Sequence, residues 1–512
     1  MMSRTKRTAK TRVHTRAERK GRILKRILAF DFGASSGRAM LGTFSDGKIA
    51  AEEIHRFSND PVPVNGVLYW DVLRLYHEIR TAITKAVNLG GFDAIGIDTW
   101  GVDFGLLDKK GNLLGNPVHY RDHRTDPIPE EVFGIVPKEE IYKHTGIQFM
   151  HFNTIYQLYY LATREPEMIK RADTLLQIPD LFAYFLTGVK KGERTNASTT
   201  NLYNPYTRDW DRELCAKLGI PERILPPLID AGEQYGTLRP ELCEELGCQA
   251  VPVIAVGTHD TASAVVSAPA TEKDFVYISC GTWSLFGTEN DVPVINDESV
   301  EANFTNEGGY NGTIRFLKNI MGLWLIQESR RQWIREGQEV TFNMLEQEAL
   351  ASEPFKCFID VDHPYFESPG NLPGYVVRYC QETGQAVPET RGEIMRCIYE
   401  SLAMKYRYTF RNLQKLTGKT YHSIHVLGGG IKDGLLCRMT AAACNANVLA
   451  GPAEATVTGN IAVQLMSMGE ISDLWEARKV IRDSTPLKTY EPVSPQDWDA
   501  HYDQYLKAIG KA

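Results

Sequence analysis

Near its start the chain reads Arg26-Ile27-Leu28-Ala29-Phe30-Asp31-Phe32-Gly33 and continues Ala34-Ser35-Ser36-Gly37-Arg38. The apolar run predicts a buried strand, and the small residues after it predict a tight turn. Two further strands, over residues 38–44 and 48–57, follow after short turns. The chain is therefore predicted to open with a β-meander.

Beyond the meander, helix and strand patterns alternate. Apolar spacing predicts a helix over residues 73–87, and residues 94–98 and 251–256 are short apolar runs typical of buried strands. Residues 275–287 then repeat the opening order of strand, small-residue turn and strand. Because the two openings lie about 245 residues apart, we predict two related α/β domains.

The length of the chain agrees with two domains. A single core rarely grows beyond ~250–300 residues, and this chain has 512. We place the boundary near residue 269. This gives a basic tail over residues 1–25, an N-terminal domain over 26–268 and a C-terminal domain over 269–512.

Charge is distributed unevenly along the chain. Residues 1–26 carry 11 Lys and Arg residues and one acid, Glu18, although the whole chain has a net charge of −7. A basic tail suits nucleic acid or an anionic membrane, but its few apolar residues favour a solvated, disordered arm. We expect neither nucleic acid nor membrane as a partner. Without a secretory signal or a long apolar run, a cytoplasmic protein is expected.

The nine cysteines show no metal-binding pattern. No pair has CxxC spacing, which argues against a zinc site. Without an export signal the thiols are expected to be reduced.

Two small-residue turns are candidates for phosphate binding. In the first, residues 33–37, backbone N–H groups can approach an oxyanion closely, and Arg38 adds a guanidinium. Asp31, at the end of the preceding strand, is a candidate Mg²⁺ ligand. The second turn lies within residues 279–284. Two such turns facing each other would position a chain of phosphates for transfer, although each turn alone also fits an ordinary hairpin.

Asp260 lies in the loop His259-Asp260-Thr261, after the strand over residues 251–256 and close to the predicted domain boundary. A carboxylate there is well placed to remove a proton from a substrate hydroxyl as a general base. The alternative is that Asp260 caps the helix that follows, since Asp is a favoured N-cap residue.

Three other segments combine polar and apolar residues. Residues 98–104 place polar groups beside an indole, which suits a sugar, or they form a turn with that indole in the core. Residues 317–327 predict a helix with Asn319 and Gln327 on the same side, two turns apart. Gly428-Gly429-Gly430, between a strand and a helix, permits close approach of a nucleotide or is a plain tight turn.

In order and spacing these motifs resemble the FGGY family of carbohydrate kinases, from Arg26 to about Tyr490. Within the family, the similarity is greatest to members that act on L-rhamnulose. It rests on six segments, at residues 98–104, 120–125, 257–264, 279–284, 306–309 and 318–324.

The resemblance implies two actin-like, ribonuclease-H-like domains on either side of a deep catalytic cleft. It implies ATP-dependent phosphorylation of L-rhamnulose at the C1 hydroxyl, with Mg²⁺, to give L-rhamnulose 1-phosphate and ADP in L-rhamnose catabolism. A kinase for another ketose, L-fuculose or xylulose, is the alternative enzyme. An actin-like ATP-binding protein without transfer activity is the alternative outside enzymes. With a small sugar and ATP as its partners, the chain is expected to be a monomer or a weak homodimer.

The resemblance also implies roles for individual residues. Asp260 matches the family's catalytic base, and Asp31 matches its metal-associated acid. The residues that match ATP contacts are Ala34, Ser35, Ser36, Gly37, Arg38, Thr282, Gln327 and Gly429. The residues that match sugar contacts are Gly101, His259, Asp260, Thr261 and Asn319.

Overall fold

The computed structural model describes residues 24–367 and 369–511. The disordered basic tail predicted over residues 1–25 lies outside the described residues, apart from its last two positions. From Lys25 onward, the first three strands and the first long helix form where the sequence predicts them.

The first sheet has six strands, which are β1 (Lys25–Phe32), β2 (Ser36–Ser45), β3 (Lys48–Ser58), β4 (Ala94–Thr99), β5 (Gln234–Thr237) and β6 (Pro252–Ile254). β1, β2 and β3 pair antiparallel in sequence order, which is the predicted meander. On the other side of β1, β4 and then β6 add parallel strands, and β5 closes that edge antiparallel to β6. Residues 27–30 of the central strand β1 are completely buried, as expected for a strand covered on both faces.

The second sheet has seven strands, which are β7 (Val276–Cys280), β8 (Trp283–Asn290), β9 (Thr305–Gly308), β10 (Ile314–Met321), β11 (Ser423–Leu427), β12 (Asn447–Ala450) and β13 (Lys488–Tyr490). β7, β8 and β10 are neighbouring antiparallel strands, and β11 and β12 extend the sheet parallel to β7. This is the arrangement of β1 to β4 and β6, so the sequence repeat corresponds to a repeated sheet topology. β13 closes one edge antiparallel to β12, as β5 does beside β6 in the first sheet, and β9 is an addition at the other edge.

Helices cover both sheets. Twelve of them are numbered here, which are α1 (Val72–Asn88), α2 (Lys138–Thr145), α3 (Thr154–Arg164), α4 (Ile178–Thr187), α5 (Asp260–Val266), α6 (Trp324–Arg335), α7 (Phe342–Ala351), α8 (Leu372–Glu382), α9 (Arg391–Thr417), α10 (Gly434–Cys444), α11 (Ala455–Ser467) and α12 (Leu474–Ser484). None of the described helices is both long and apolar enough to cross a membrane.

Two of these helices join the sheets. α5 packs on the second sheet through Ala264 and Val265. α11 packs on the first sheet, where Ile461 shares a core with Ile27 of β1. The two helices touch at Gly459, where a Cβ would lie 1.7 Å from the carbonyl oxygen of Ser263, so any larger residue would separate them. The boundary predicted near residue 269 falls in the connection from α5 to β7 and stays a prediction.

A separate layer of helices and short hairpins fills the chain between β4 and β5. Its core is built from α3 and its neighbours, with Ile155 and Leu158 completely buried. The short paired strands here are Phe104–Leu107 with Thr174–Gln177, Gly192–Glu193 with Leu228–Ile229, and Tyr203–Asn204 with Asp209–Trp210. This layer adjoins the carboxyl end of β4, so it borders the segment over residues 98–104.

The prediction of one helix over residues 317–327 is wrong. Asn319 lies in β10, and Gln327 lies in α6, with the chain bending at Gly322 between them. β10 is paired on both edges and buried on both faces, so its apolar residues do not alternate and resemble a buried helix. Gly322 is required at the bend, because a Cβ there would lie 2.6 Å from Ser284 Oγ.

Candidate active site

Three carboxylates lie near one another where neighbouring strands end. Asp31 and Asp98 are opposite each other in the parallel pairing of β1 with β4, and both are buried. Asp260 is the first residue of α5, and its neighbour His259 forms a bridge with Thr99. The parallel order of the first sheet therefore brings together acids that are far apart in sequence.

These carboxylates offer a place for a divalent cation. Burial, followed by repulsion from Asp31 and Asp260, raises the pKa of Asp98 well above its usual range. Oδ2 of Asp98 accepts a bond from Asn460 at 2.7 Å, but Oδ1 is buried without a partner among the described residues. Burial also raises the pKa of Asp31, despite the neighbouring Arg38. Hard carboxylate oxygens, one of them without a hydrogen-bond partner, fit Mg²⁺.

The first small-residue turn is closed by a bond from Gly33 N–H to Ser36 O at 2.9 Å. Gly37 must be glycine, because a Cβ there would lie 2.3 Å from the ring of Phe57. Arg38 donates twice to Asp31 Oδ2, at 3.0 and 2.8 Å, and also pairs with Glu454. In this structure the Arg38 guanidinium is thus held between two carboxylates.

The second turn and the bend before α6 form one unit. Gly281 N–H donates to Trp283 O at 2.8 Å, and Gly322 N–H donates to Thr282 O at 3.1 Å. Gln327 follows in the first turn of α6, where its N–H donates to Leu323 O. The sequence-predicted ATP contacts Thr282 and Gln327 are therefore tied to the same short loop.

The glycine cluster adjoins this second turn from the other side. Gly428 follows β11, the parallel neighbour of β7, with a φ of 82° that favours glycine. A Cβ at Gly430 would lie 2.2 Å from Cys280 Sγ, so the two turns are in close contact. Gly429, between Gly428 and Gly430 in the chain, has open space where a Cβ would project.

Asp260 does not cap its helix. His259 occupies the N-cap position, and Asp260 is the first helical residue. Its Oδ1 accepts bonds from Thr261 N–H at 2.6 Å and from the Thr261 hydroxyl at 3.1 Å. The side chain of Asp260 is 32% exposed, so the carboxylate is both oriented and open to a substrate.

The loop before Asp260 is anchored by a completely buried acid, Glu193. The Glu193 carboxylate accepts bonds from Thr258 N–H at 3.1 Å and from the Thr258 hydroxyl at 2.8 Å. It also accepts from Thr195 N–H at 2.9 Å. Glu193 therefore fixes the backbone position from which His259 and Asp260 start.

A buried ion pair lies behind His259. Arg315 of β10 is opposite Glu307 of β9, with Nη2 and Oε2 3.1 Å apart. His259 Nδ1 is 3.1 Å from Arg315 Nη2 and 3.3 Å from Glu307 Oε2, while His259 Nε2 faces Asp260 Oδ1 at 3.4 Å. Although burial opposes ionisation, Arg315 and then His259 lower the pKa of Glu307. The pair thus supports the side of His259 that points away from Asp260.

Two of the residues that match sugar contacts sit in restricted positions. A Cβ at Gly101 would lie 2.9 Å from Thr199 Oγ1, so the chain passes this point only as glycine. Asn319 donates from its backbone N–H and its amide to Gln148 Oε1, at 3.0 and 3.1 Å. Asn319 therefore connects the second sheet to the layer between β4 and β5.

The segment over residues 98–104 builds an aromatic wall around Asp103. Trp70 and Trp100 pack with ring centroids 4.0 Å apart and ring planes tilted by 33°, and both indoles donate to Asp103 Oδ2, at 2.6 and 3.0 Å. Gln157 donates to Oδ1 at 3.0 Å. Burial raises the pKa of Asp103 to about 6. The Trp100 indole is buried, as the alternative interpretation of this segment expects.

Sequence reasoning missed several of these residues. The structure adds Asp98 to the acidic cluster, Glu193 beneath the Asp260 loop, and the Glu307–Arg315 pair behind His259. An acid at the end of an apolar strand was a usable signal for Asp98. The other three become visible only when distant segments meet in space.

Comparison with known proteins identifies the family. The N-terminal domain of the FGGY family of carbohydrate kinases matches residues 26–267, and its C-terminal domain matches residues 276–468. A Bacteroides thetaiotaomicron protein named Rhamnulokinase is 43% identical over 484 residues, which cover 94% of this chain and 99% of that protein. A protein of the same name from Halalkalibacterium halodurans is 45% identical over 464 residues, covering 90% and 98%.

Solved structures show the same fold. A ligand-bound xylulose kinase from Lactobacillus acidophilus superposes with a TM-score of 0.79 at 17% identity, over 94% of this chain and 97% of that one. Plasmodium falciparum glycerol kinase with ADP gives 0.76 at 15% identity, over 94% and 98%. At these identities the likeness concerns the fold alone.

The fold is therefore the two-domain, actin-like and ribonuclease-H-like architecture of sugar kinases, as the sequence predicted. More narrowly, the chain belongs to the FGGY family of carbohydrate kinases.

Proposed function

We propose that this kinase transfers the γ-phosphoryl group of ATP to the C1 hydroxyl of L-rhamnulose, which gives L-rhamnulose 1-phosphate and ADP in L-rhamnose catabolism. The observation that carries the proposal is the 43% and 45% identity to two proteins named Rhamnulokinase over at least 90% of this chain. The cytoplasmic location and the monomeric or weakly dimeric state stay predictions.

Asp260 is the proposed general base. Its carboxylate takes the proton from the sugar hydroxyl while that oxygen attacks the γ-phosphorus in line and ADP leaves. Its exposure and the two Thr261 bonds to Oδ1 support this role, because a base must be held in place and still reach substrate. His259 and Thr261, on either side of Asp260, are the proposed sugar contacts nearest to the base.

The ATP phosphates are proposed to lie between the two small-residue turns. Phosphoryl transfer depends on positioned donors more than on covalent chemistry by the protein. The first turn, residues 34–38, offers backbone N–H groups and two serine hydroxyls. Thr282, Gln327 and Gly429 are the proposed contacts on the other side, and their segments already meet at one loop.

Asp31 and Asp98 are the residues proposed to hold Mg²⁺. The partnerless Oδ1 of Asp98 and the raised pKa of both carboxylates support this placement. When bound, the ion supplies positive charge that offsets the phosphate oxygens. Arg38 is already paired with Asp31 and adds a second positive charge at the same edge.

The sugar is proposed to lie against Gly101 and Asn319. These residues come from the two sides that Gln148 connects, so a sugar held there would contact both domains. The indole of Trp100 lies behind this position and is fixed by Asp103, which limits how far the wall can move. A rigid pocket of this kind discriminates between hydroxyl configurations, because an unmatched polar group is left without a partner.

A panel of ketoses tests the proposal against its alternative, a kinase for L-fuculose or xylulose. ADP release is followed with ATP and Mg²⁺ for L-rhamnulose, L-fuculose, D-xylulose and L-xylulose at matched concentrations. The proposal predicts the highest kcat/KM for L-rhamnulose. A higher kcat/KM for any of the other three sugars would contradict the proposal and identify that sugar as the preferred substrate.

A further inference from the structure

Three cysteines that are distant in sequence meet in the core of the C-terminal half. Cys357 follows α7, Cys380 lies in α8 and Cys397 lies in α9. Their sulfur atoms all lie within 4.8 Å of one another, and all three side chains are buried and free of disulfides. No spacing rule reveals this cluster, because its members are contributed by three separate segments.

The closeness of the three sulfur atoms allows a three-coordinate metal site. Metal–sulfur bonds are ~2.3 Å long, so three sulfur atoms in a triangle around one ion lie ~4.0 Å apart. Sulfur atoms no more than 4.8 Å apart would have to approach one another by less than about 1 Å to reach this spacing.

The backbone around the cluster is held by other bonds. Phe358 N–H donates to Gln385 Oε1 at 2.9 Å, and Ile359 N–H donates to Ser401 Oγ at 2.9 Å. Ser401 lies one helical turn after Cys397 in α9. The segment that carries Cys357 is therefore fixed to the helix that carries Cys397, which keeps the ligands together before an ion arrives.

The nearby acid is committed elsewhere. Glu400 is ion-paired with Arg396 and accepts a bond from Phe355 N–H at 2.7 Å. Within the described residues, the cluster itself contains only the three sulfur ligands. Structural zinc sites are almost always four-coordinate, whereas soft cations such as Cu(I) are selected by thiolates.

We propose that Cys357, Cys380 and Cys397 form a three-sulfur site for a soft, thiophilic cation, of which Cu(I) is the first-row member. The thiolate is the ligand form, so binding releases thiol protons to solvent. The site is separate from the proposed ATP and sugar contacts, which include none of its residues.

A competition titration tests the site. Full-length protein, reduced and kept free of oxygen, is titrated with Cu(I) against a chromophoric Cu(I) chelator. The protein is expected to withhold one equivalent from the chelator. Cys380→Ser and Cys397→Ser are each expected to weaken this binding at least ~100-fold, more than the loss of an outer-sphere partner would. X-ray absorption of the 1:1 complex is expected to show three sulfur neighbours and no nitrogen or oxygen neighbour.

Two control variants isolate the cluster. Cys444→Ser removes another buried thiol and should leave Cu(I) binding unchanged. Cys243→Ser removes a more exposed thiol and should also leave it unchanged. Thermal unfolding of the metal-free variants checks that each is folded, and Cys380→Ala replaces Cys380→Ser if the serine variant is not.

Three results would overturn the assignment. The first is that the wild-type protein withholds no copper, and the second is that both cluster variants still withhold it. The third is that Zn(II) is held as tightly as Cu(I), which would contradict three-coordinate selection for a soft ion.

Discussion

Replacing Asp260 with Asn tests the proposed base while leaving the local structure in place. An amide oxygen at the same position can still accept the two Thr261 bonds, at 2.6 and 3.1 Å. The 3.4 Å contact with His259 loses its charge, but contacts of this kind at partly exposed side chains contribute only ~0–1 kcal/mol. The variant is therefore expected to fold and to unfold at nearly the wild-type temperature.

Catalysis by Asp260→Asn should fall far more than stability. General-base catalysis contributes ~10²–10⁴-fold, which corresponds to about 3–5 kcal/mol of transition-state stabilisation. Steady-state ADP release should show this loss in kcat, with the KM for ATP close to that of the wild type. A variant that retained nearly the full kcat would refute the role of Asp260.

Asp297→Asn is the matched control. Asp297 is also the first residue of a helix, Asp297–Glu301, but it is exposed and has no place in the proposed site. The same change of acid to amide there should leave kcat unchanged. If both variants lost activity equally, the loss at Asp260 would reflect the helix and not the proton transfer.

Other positions give three further predictions. Arg315→Met should lower the melting temperature, because an unpaired buried Glu307 costs about 3–5 kcal/mol of stability. The double variant with Glu307→Gln should recover much of the lost stability. If Arg315→Met melted at the wild-type temperature, the ion pair would not contribute to stability. Asp98→Asn should raise the Mg²⁺ concentration needed for half-maximal activity at least ~10-fold, while an unchanged requirement would exclude Asp98 as a ligand. The KM for sugar should rise as pH falls through about 6, since protonated Asp103 holds the two indoles less well, and Asp103→Asn should show a high KM without this pH dependence. A KM that depends on pH equally in both proteins would assign the effect to another group.

The strands and turns of the first sheet could be predicted because their signals are local. β1 to β4 and α1 combine short apolar runs, small-residue turns and helical spacing within their own segments. The second opening over residues 275–287 repeats these signals and forms β7 and β8. The prediction of two domains could therefore be made from this repeat, without knowing which residues touch in space.

Predictions failed where neighbours in space decide the structure. β10 looks helical in sequence because it is buried on both faces, and only its pairing with β8 and β9 makes it a strand. No sequence pattern pointed to the packing of α11 on the first sheet, where Ile461 of α11 shares a core with Ile27 of β1. Apolar segments of this kind are ambiguous by periodicity alone.

The candidate site divides in the same way. Asp31, Asp260 and the glycine-rich turns stand at ends of apolar strands, where a sequence pattern can point to them. Glu193 and the Glu307–Arg315 pair act through contacts with other segments, so their role depends on the fold. The cysteine cluster is the extreme case, since the absence of CxxC spacing argued against a zinc site and only the fold brings the three sulfur atoms of the proposed site together.

The position of the new phosphate tests the central claim most directly. L-Rhamnulose labelled with carbon-13 at C1 is incubated with the protein, ATP and Mg²⁺, and the product is examined by carbon and phosphorus NMR. The account predicts ADP release with carbon–phosphorus coupling at the labelled C1. Phosphate on another carbon, or no transfer to L-rhamnulose while another ketose is phosphorylated, would contradict it.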